Sequence, residues 1–155
     1  MKKKTFLIIV ILGMLFVACK KEKSLSEYMI TDWQTSYMKI EMQTANGNDS
    51  LQVYEDDFSK EKSILAQSSY KNDGTFSAWY IKLNGSKAGE SSGKWKVVGD
   101  SLFLEYIVAG KIIKPSYQIK KTTEGLLAKS RYDWDNDGEK DDFLTMKLKD
   151  ISKTE

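Results

Sequence analysis

An acidic segment near the end of the chain carries the residue pattern most suited to chemistry. Six acids lie between residues 133 and 142, and Lys140 is the only basic residue among them. In a tightly wound loop, carboxylates at positions 1, 3, 5 and 9 and the main-chain carbonyl at position 7 can converge on one point. Gly138, at position 6, permits the sharp turn that this convergence needs. The predicted ligands are Asp133, Asp135, Asp137, Glu139 and Asp141.

This ligand set consists of oxygens alone, which favours a hard cation. Ca²⁺ takes about six to eight oxygen ligands, whereas Mg²⁺ keeps several waters and fits less well. We expect a bound Ca²⁺ to be structural, because it would hold the last hairpin of the chain together. The alternative is a solvated acidic turn, since Asp, Asn and Gly favour turns and salt screens exposed charges.

The spacing D-x-D-x-D-G-x-x-D of residues 133–141 resembles the calcium-binding hairpin loops of integrin-type propeller blades. The resemblance implies that the acids at the matching positions bind calcium between two strands. The segment departs from an EF-hand, because Leu144 stands at position 12 and the flanking residues are strand-like. The resemblance covers the loop alone.

Short extended segments, each closed by turn residues, make up the rest of the chain. Residues 33–44 alternate between apolar and polar side chains, and residues 72–74 and 99–100 predict hairpin turns. Residues 84–92, rich in Gly and Ser, are predicted to be a loop. The nine predicted strands are residues 33–44, 51–58, 64–70, 75–83, 94–98, 101–108, 111–120, 126–134 and 143–148. This spacing predicts an all-β fold, a single up-and-down antiparallel β-barrel of about eight to nine strands, because closure removes exposed edges.

Three of these segments resemble a known family. Residues 72–76 (NDGTF), 93–97 (GKWKV) and 99–104 (GDSLFL) are similar to a recurring pattern of the lipocalin-like lipoproteins of Bacteroidetes. The resemblance covers about residues 33–148 and implies a small lipid-anchored β-barrel. It transfers no activity, since a fold does not determine a function.

The first residues have the features of a targeting segment. A basic start and a short apolar run end at residues 16–19 (FVAC), which resemble the lipobox of a bacterial lipoprotein precursor, with Phe16 where Leu is usual. The resemblance implies a signal peptide at 1–18, lipid attachment at Cys19, a tether at 19–28 and a barrel domain at 29–155. The alternative is a plain secretory signal. By resemblance to enteric lipoproteins, Lys20 implies the outer membrane. Residues 20–24 (KKEKS) lack the acidic cluster of some surface-exposed Bacteroidetes lipoproteins, which favours the periplasmic face, with the cell surface as the alternative.

Composition removes several functions. The chain has no histidine, which excludes Cys-His and Ser-His-Asp nucleophilic sites and the usual zinc sites. Removal of the three lysines at 2–4 takes the formal net charge from +2 to −1, so no basic surplus favours nucleic acid. Residues 55–57 (EDD) could supply paired catalytic acids, but neighbours in a strand face opposite ways, which favours a strand-end charge cluster. We expect no enzymatic activity.

Aromatic residues offer a second candidate site. Trp79, Trp95 and Tyr106 could line a pocket for a small hydrophobic ligand or a glycan. The alternative is that aromatic side chains fill the barrel core, since strands favour them. The sequence therefore leaves two functions open. One is a lipid-anchored binding protein that holds a small apolar molecule, a glycan or a protein partner. The other is a structural or interaction lipoprotein of the outer membrane with a filled barrel and no small-molecule ligand.

Overall fold

A computed structural model of the chain describes residues 22–43, 50–59 and 64–152. The predicted signal peptide and Cys19 lie outside these residues. The elements, in chain order, are α1 (Leu25–Met29), β1 (Asp32–Met42), β2 (Gln52–Asp56), β3 (Leu65–Tyr70), β4 (Thr75–Ile81), β5 (Lys87–Val98), β6 (Ser101–Val108), β7 (Lys111–Ile113), β8 (Ser116–Thr122), β9 (Gly125–Tyr132) and β10 (Asp142–Asp150).

Eight of these strands form a closed antiparallel barrel, so the predicted fold class is confirmed. The order around the barrel is β1-β3-β4-β5-β6-β8-β9-β10, and β10 pairs back to β1 from Trp33↔Asp150 to Glu41↔Phe143. Neighbouring strands follow one another along the chain, apart from the two short additions β2 and β7, which pair with β1 and β6. Because the barrel is closed, each of its strands pairs with a neighbour on both sides over at least part of its length.

Two predicted segments differ from the structure. Most of the predicted loop 84–92 belongs to β5, where Ala88 pairs with Tyr80 and Ser92 pairs with Ser77. Main-chain pairing with β4 needs no apolar side chains, which is why composition misled the prediction. The predicted strand 111–120 is two strands, β7 and β8. Pro115 separates them because it has no main-chain N–H to donate, although its carbonyl accepts from the Leu104 N–H at 3.1 Å.

One end of the barrel is closed by the short helix α1. The Ser24 hydroxyl accepts from the Glu27 N–H at 3.2 Å and the Glu27 carboxylate accepts from the Ser24 N–H at 2.8 Å, which forms a capping box. This cap starts a helix within residues predicted to be tether. Met29 and Trp33 are fully buried, and the Trp33 indole donates to the Met29 carbonyl at 3.1 Å. The chain therefore enters the barrel through its closed end.

The opposite end of the barrel is open. There β1 pairs with β3 only over Asp32–Gln34 and then with β2 over Met38–Met42, so β1 and β3 separate towards this end. The acidic segment lies at the same end, between β9 and β10. In the described part of the chain, no helix is long and apolar enough to cross a bilayer.

Candidate functional site

The inner faces of the strands enclose a cavity of about 600 Å³ that opens to solvent at the open end. This volume is typical of pockets for small organic molecules. Its floor is formed by side chains that also belong to the buried core, including Tyr70, Phe76 and Tyr117. Exposed apolar side chains surround the mouth, among them Tyr80 and Ile107. The cavity is therefore mostly apolar, both at its mouth and at its floor.

Two polar side chains of the cavity wall are joined in a hydrogen-bonded chain. The Trp79 indole donates to Gln67 Oε1 at 3.0 Å, and Gln67 Nε2 donates to Gln34 Oε1 at 3.0 Å. Burial raises the pKa of Tyr70 to about 12, and burial also raises the pKa of Tyr117. Both phenols are therefore neutral at physiological pH.

Charge is almost absent from this wall. Among the described residues that line the cavity, Glu90 is the only one with a carboxylate or a basic side chain, and it is exposed at the mouth. Lys87 lies nearby, with its ammonium 3.7 Å from the centroid of the Trp79 ring, in a cation–π contact. The cavity is thus suited to an uncharged molecule.

The fold places two of the three residues predicted to line a pocket on the cavity wall, and the third in the core. Trp79 and Tyr106 both line the cavity. Trp95 is buried in the core, where its indole donates to the Lys71 carbonyl at 2.9 Å and its ring meets Tyr70 edge-on at 5.4 Å. Trp95 therefore supports the 71–74 hairpin and the floor rather than the cavity wall, and it also borders a separate solvent-open groove.

The acidic segment is a loop that its own carboxylates organise. Asp133 accepts from the Gly138 N–H at 3.2 Å, Asp135 from the Asp137 N–H at 3.1 Å, and Asp137 from the Glu139 N–H at 2.8 Å. Gly138 has a φ of 99°, which a residue with a side chain rarely adopts. The predicted sharp turn at Gly138 is therefore present.

Asp142 was not among the predicted ligands, yet it is the central carboxylate of this region. It is 1% exposed and accepts from the N–H groups of Trp134 at 2.6 Å, Asp135 at 3.3 Å and Gln43 at 3.1 Å. The signal was the alternation of β10: Leu144, Met146 and Leu148 share one face, and the same period places Asp142 on it.

Three acids of the region converge closely enough to hold a cation. Asp133, Asp135 and Asp142 each place a carboxylate oxygen within 4.8 Å of the others. Asp133 Oδ1, Asp135 Oδ2 and Asp141 Oδ1 are buried and have no hydrogen-bond partner among the described residues. Asp137 and Glu139 are exposed and lie outside the converging group.

Electrostatics at Asp135 reflect this crowding. Desolvation raises the pKa of the Asp135 carboxyl, and the carboxylates of Asp137, Asp142 and Asp133 raise it further, whereas the Asp137 N–H lowers it. A proton or a cation would each relieve the same repulsion.

The three acids at 55–57 do not converge. Glu55 accepts from the Tyr37 hydroxyl at 2.8 Å, Asp56 from the Phe58 N–H at 2.7 Å and Asp57 from the Ser59 N–H at 3.0 Å. Asp56 and Asp57 thus organise the turn after β2, and Glu55 makes a contact between strands.

Comparison of the chain with protein-family models, with curated proteins and with solved structures gives no match.

Proposed function

We propose that this chain is a lipid-anchored binding protein of the bacterial cell envelope that holds a small, mostly apolar molecule in its barrel. The observation that carries the proposal is the apolar cavity of about 600 Å³, open to solvent at one end. A barrel with a filled interior would have no such space. The alternative, a structural lipoprotein with a protein partner, draws support from the exposed apolar residues Leu51, Val53, Ile64, Leu83 and Ile112.

The test of binding is titration of the domain with an uncharged apolar fluorophore. Ala78 lines the cavity, and its neighbour Ser77 does not. Ala78→Phe should fill part of the cavity and weaken binding at least tenfold, whereas Ser77→Phe should leave the dissociation constant within about twofold. Equal binding by both variants would place the fluorophore outside the cavity. Absence of binding by the natural protein would favour the structural alternative.

We also propose that the acidic loop binds Ca²⁺, with a structural role. Support comes from the three converging carboxylates and from the buried oxygens that lack partners. We expect Asp133, Asp135 and Asp142 to supply the central ligands, with Asp141 near them. Of the predicted ligands, this arrangement keeps Asp133 and Asp135 at the centre and Asp141 near it. Asp142 is added, and Asp137 and Glu139 are left out.

The calcium proposal predicts opposite effects of one substitution in two buffers. Asp135→Asn removes a repelled charge, so it should raise the melting temperature in chelator. The same change removes a ligand, so the variant should lose the stabilisation that Ca²⁺ gives. For a site with a dissociation constant of about 1 mM, 10 mM Ca²⁺ contributes roughly 1.4 kcal/mol, or several degrees. Identical melting curves of the natural protein with and without Ca²⁺ would contradict the calcium proposal and favour the alternative, a solvated acidic turn.

The proposed lipid anchor would orient the cavity. Glu22 lies 3.4 Å from the Lys121 ammonium, and this ammonium also contacts the Lys23 carbonyl, at the closed end of the barrel. Cys19 precedes Glu22 by three residues, which span at most about 10 Å. Lipid on Cys19 would therefore hold the closed end at the membrane, and the mouth would face away from it. On an outer-membrane lipoprotein the mouth would then face the periplasm, or the exterior of the cell for a surface-exposed protein.

A further inference from the structure

We propose that the hydroxyl groups of Tyr106 and Tyr117 determine which molecules the cavity accepts, because they form hydrogen bonds with an oxygen at the inner end of the ligand. The inference rests on the proposed binding function and adds the chemical class of the ligand. That class is an uncharged, mostly apolar molecule with a ketone or alcohol oxygen.

The first observation is that both phenol oxygens reach the cavity without a partner. Tyr106 and Tyr117 line the cavity, and Tyr117 is only 9% exposed. Within the described part of the chain neither hydroxyl forms a hydrogen bond, and neither oxygen is among the completely buried atoms that lack one, which all belong to residues 133–141. Each oxygen therefore keeps accessible surface. Because neither residue borders the separate groove, this surface belongs to the cavity.

Unpaired hydroxyls on a mostly apolar wall make the cavity selective. Other buried polar groups inside the barrel are paired: the Ser130 hydroxyl donates to the Ser116 carbonyl at 2.8 Å, and the Trp33 indole donates to the Met29 carbonyl. A ligand without an oxygen would remove water from the phenols and leave its hydrogen bonds unreplaced, which costs affinity. A ligand oxygen placed beside them replaces these bonds.

The second observation is that the phenols are held in place. Tyr106 pairs with Gly93 across the β5–β6 ladder, and a Cβ atom on Gly93 would lie 2.8 Å from the Tyr106 Cβ, so glycine leaves the room that Tyr106 occupies. The Tyr106 ring also meets the Phe76 ring edge-on at 5.7 Å. Tyr117 pairs with Leu102 and belongs to the buried core. Groups fixed before the ligand arrives lose little entropy on binding.

The third observation is that the two phenols are neutral and near each other. Burial raises the pKa of Tyr117 most, and the charge of an ionised Tyr106 would raise it further. Burial also raises the pKa of Tyr106. A neutral phenol both donates and accepts, so the pair can bind a ketone or an alcohol.

The fourth observation concerns charge. Glu90 is the only charged residue among the described residues of the cavity wall, and it is exposed at the mouth. A ligand carboxylate beside the phenols would be desolvated without a cationic partner, which is strongly unfavourable. A neutral oxygen avoids this cost.

The test compares three probes that share one ring system: fluorene, fluorenone and fluorene-9-carboxylate. Equilibrium dialysis measures their dissociation constants with residues 20–155, which include every described residue. The quantity compared between proteins is the ratio of the dissociation constant of fluorene to that of fluorenone. The carboxylate should bind the natural protein more weakly than fluorenone.

The double variant Tyr106→Phe, Tyr117→Phe keeps both rings and removes both hydroxyls. Its ratio should be about three- to tenfold lower than that of the natural protein, as expected for one lost hydrogen bond. Its affinity for fluorene should be the same or higher. Tyr54→Phe is the matched control, because Tyr54 lies on β2 and does not line the cavity; it should leave the ratio unchanged.

Thermal melting without ligand gives an independent readout. Because neither hydroxyl has a protein partner among the described residues, the double variant should melt at the same temperature as the natural protein or slightly higher. A fall of more than a few degrees would show that the hydroxyls bond within the protein, which would overturn the inference.

The binding outcomes separate this inference from the proposed function. If fluorene binds and the double variant keeps the ratio of the natural protein, the phenols do not recognise the ligand, and the inference fails while binding stands. Tighter binding of the carboxylate than of fluorenone would also overturn it. If no probe binds the natural protein, both the inference and the binding function fail.

Discussion

Asp142 should be the carboxylate that contributes most to the stability of the open end of the barrel. Its side chain is 1% exposed and accepts three main-chain N–H groups, from the end of β1 and from the acidic loop. Asp142→Asn keeps the shape but replaces one oxygen with an NH₂ group. Whichever way the amide turns, a donor then faces a main-chain donor.

The expected cost follows from these contacts. Leaving one buried N–H unpaired costs about 1–3 kcal/mol. The remaining hydrogen bonds lose their charge assistance, at about 1 kcal/mol each, since bonds to charged groups are roughly twice as strong as neutral ones. The free energy of unfolding should therefore fall by up to about 3–5 kcal/mol, a large part of the roughly 5–15 kcal/mol of a typical domain. Relief of the repulsion between Asp142 and Asp135 offsets part of this loss.

Urea unfolding in the presence of chelator measures this change without any contribution from metal. With a slope of about 2 kcal/mol/M, the midpoint should fall by up to roughly 1.5–2.5 M. Asp141→Asn is the matched control, because Asp141 Oδ1 has no hydrogen-bond partner among the described residues; its midpoint should stay the same or rise slightly. A loss of less than about 1 kcal/mol for Asp142→Asn would refute the reasoning, since it would show that water or other groups satisfy the three N–H groups.

Three further predictions concern the anchor, the buried phenols and the link between loop and cavity. Cys19→Ala should move the protein from the membrane fraction to the soluble fraction of cells, and unchanged fractionation would argue against a lipid on Cys19. Because burial raises the pKa of Tyr70 to about 12 and raises that of Tyr117 as well, the unfolded chain releases these protons from about pH 10 while the folded chain keeps them. The contribution of these two phenols to stability should thus be intact below pH 10. Above it, stability should fall by about 1.4 kcal/mol per pH unit for each phenol, up to about pH 12 for Tyr70. The tyrosinate absorbance of these two phenols should rise only with unfolding, and titration of all eight tyrosines of the folded protein near pH 10 would contradict this. Since Trp134 lies between two proposed calcium ligands and also lines the cavity, Ca²⁺ should tighten binding of a neutral probe, and the probe should tighten Ca²⁺ binding by the same factor; equal probe affinities in chelator and in saturating Ca²⁺ would exclude this coupling.

Local patterns were sufficient to predict the class of fold. The alternation in residues 33–44 and the turns at 72–74 and 99–100 predicted strands joined by hairpins, and these features depend only on neighbouring residues. The strand at 87–93 was missed because its pairing comes from β4 and β6, and its Gly and Ser side chains carry no periodic signal. The helix α1 follows from a capping box at Ser24 and Glu27 that is visible in the sequence.

For the candidate sites too, some features follow from the sequence and others only from the tertiary structure. By itself, the sequence determined that an acidic loop with a sharp turn at Gly138 joins the last two strands. Tertiary structure decided which carboxylates converge, because Asp142 reaches the group only through the register of β10 between β9 and β1. It also decided that the barrel is hollow and that Trp134 borders the cavity. Both depend on closure between β1 and β10, which are far apart in the chain, and a local pattern of side chains does not specify the distance across a barrel.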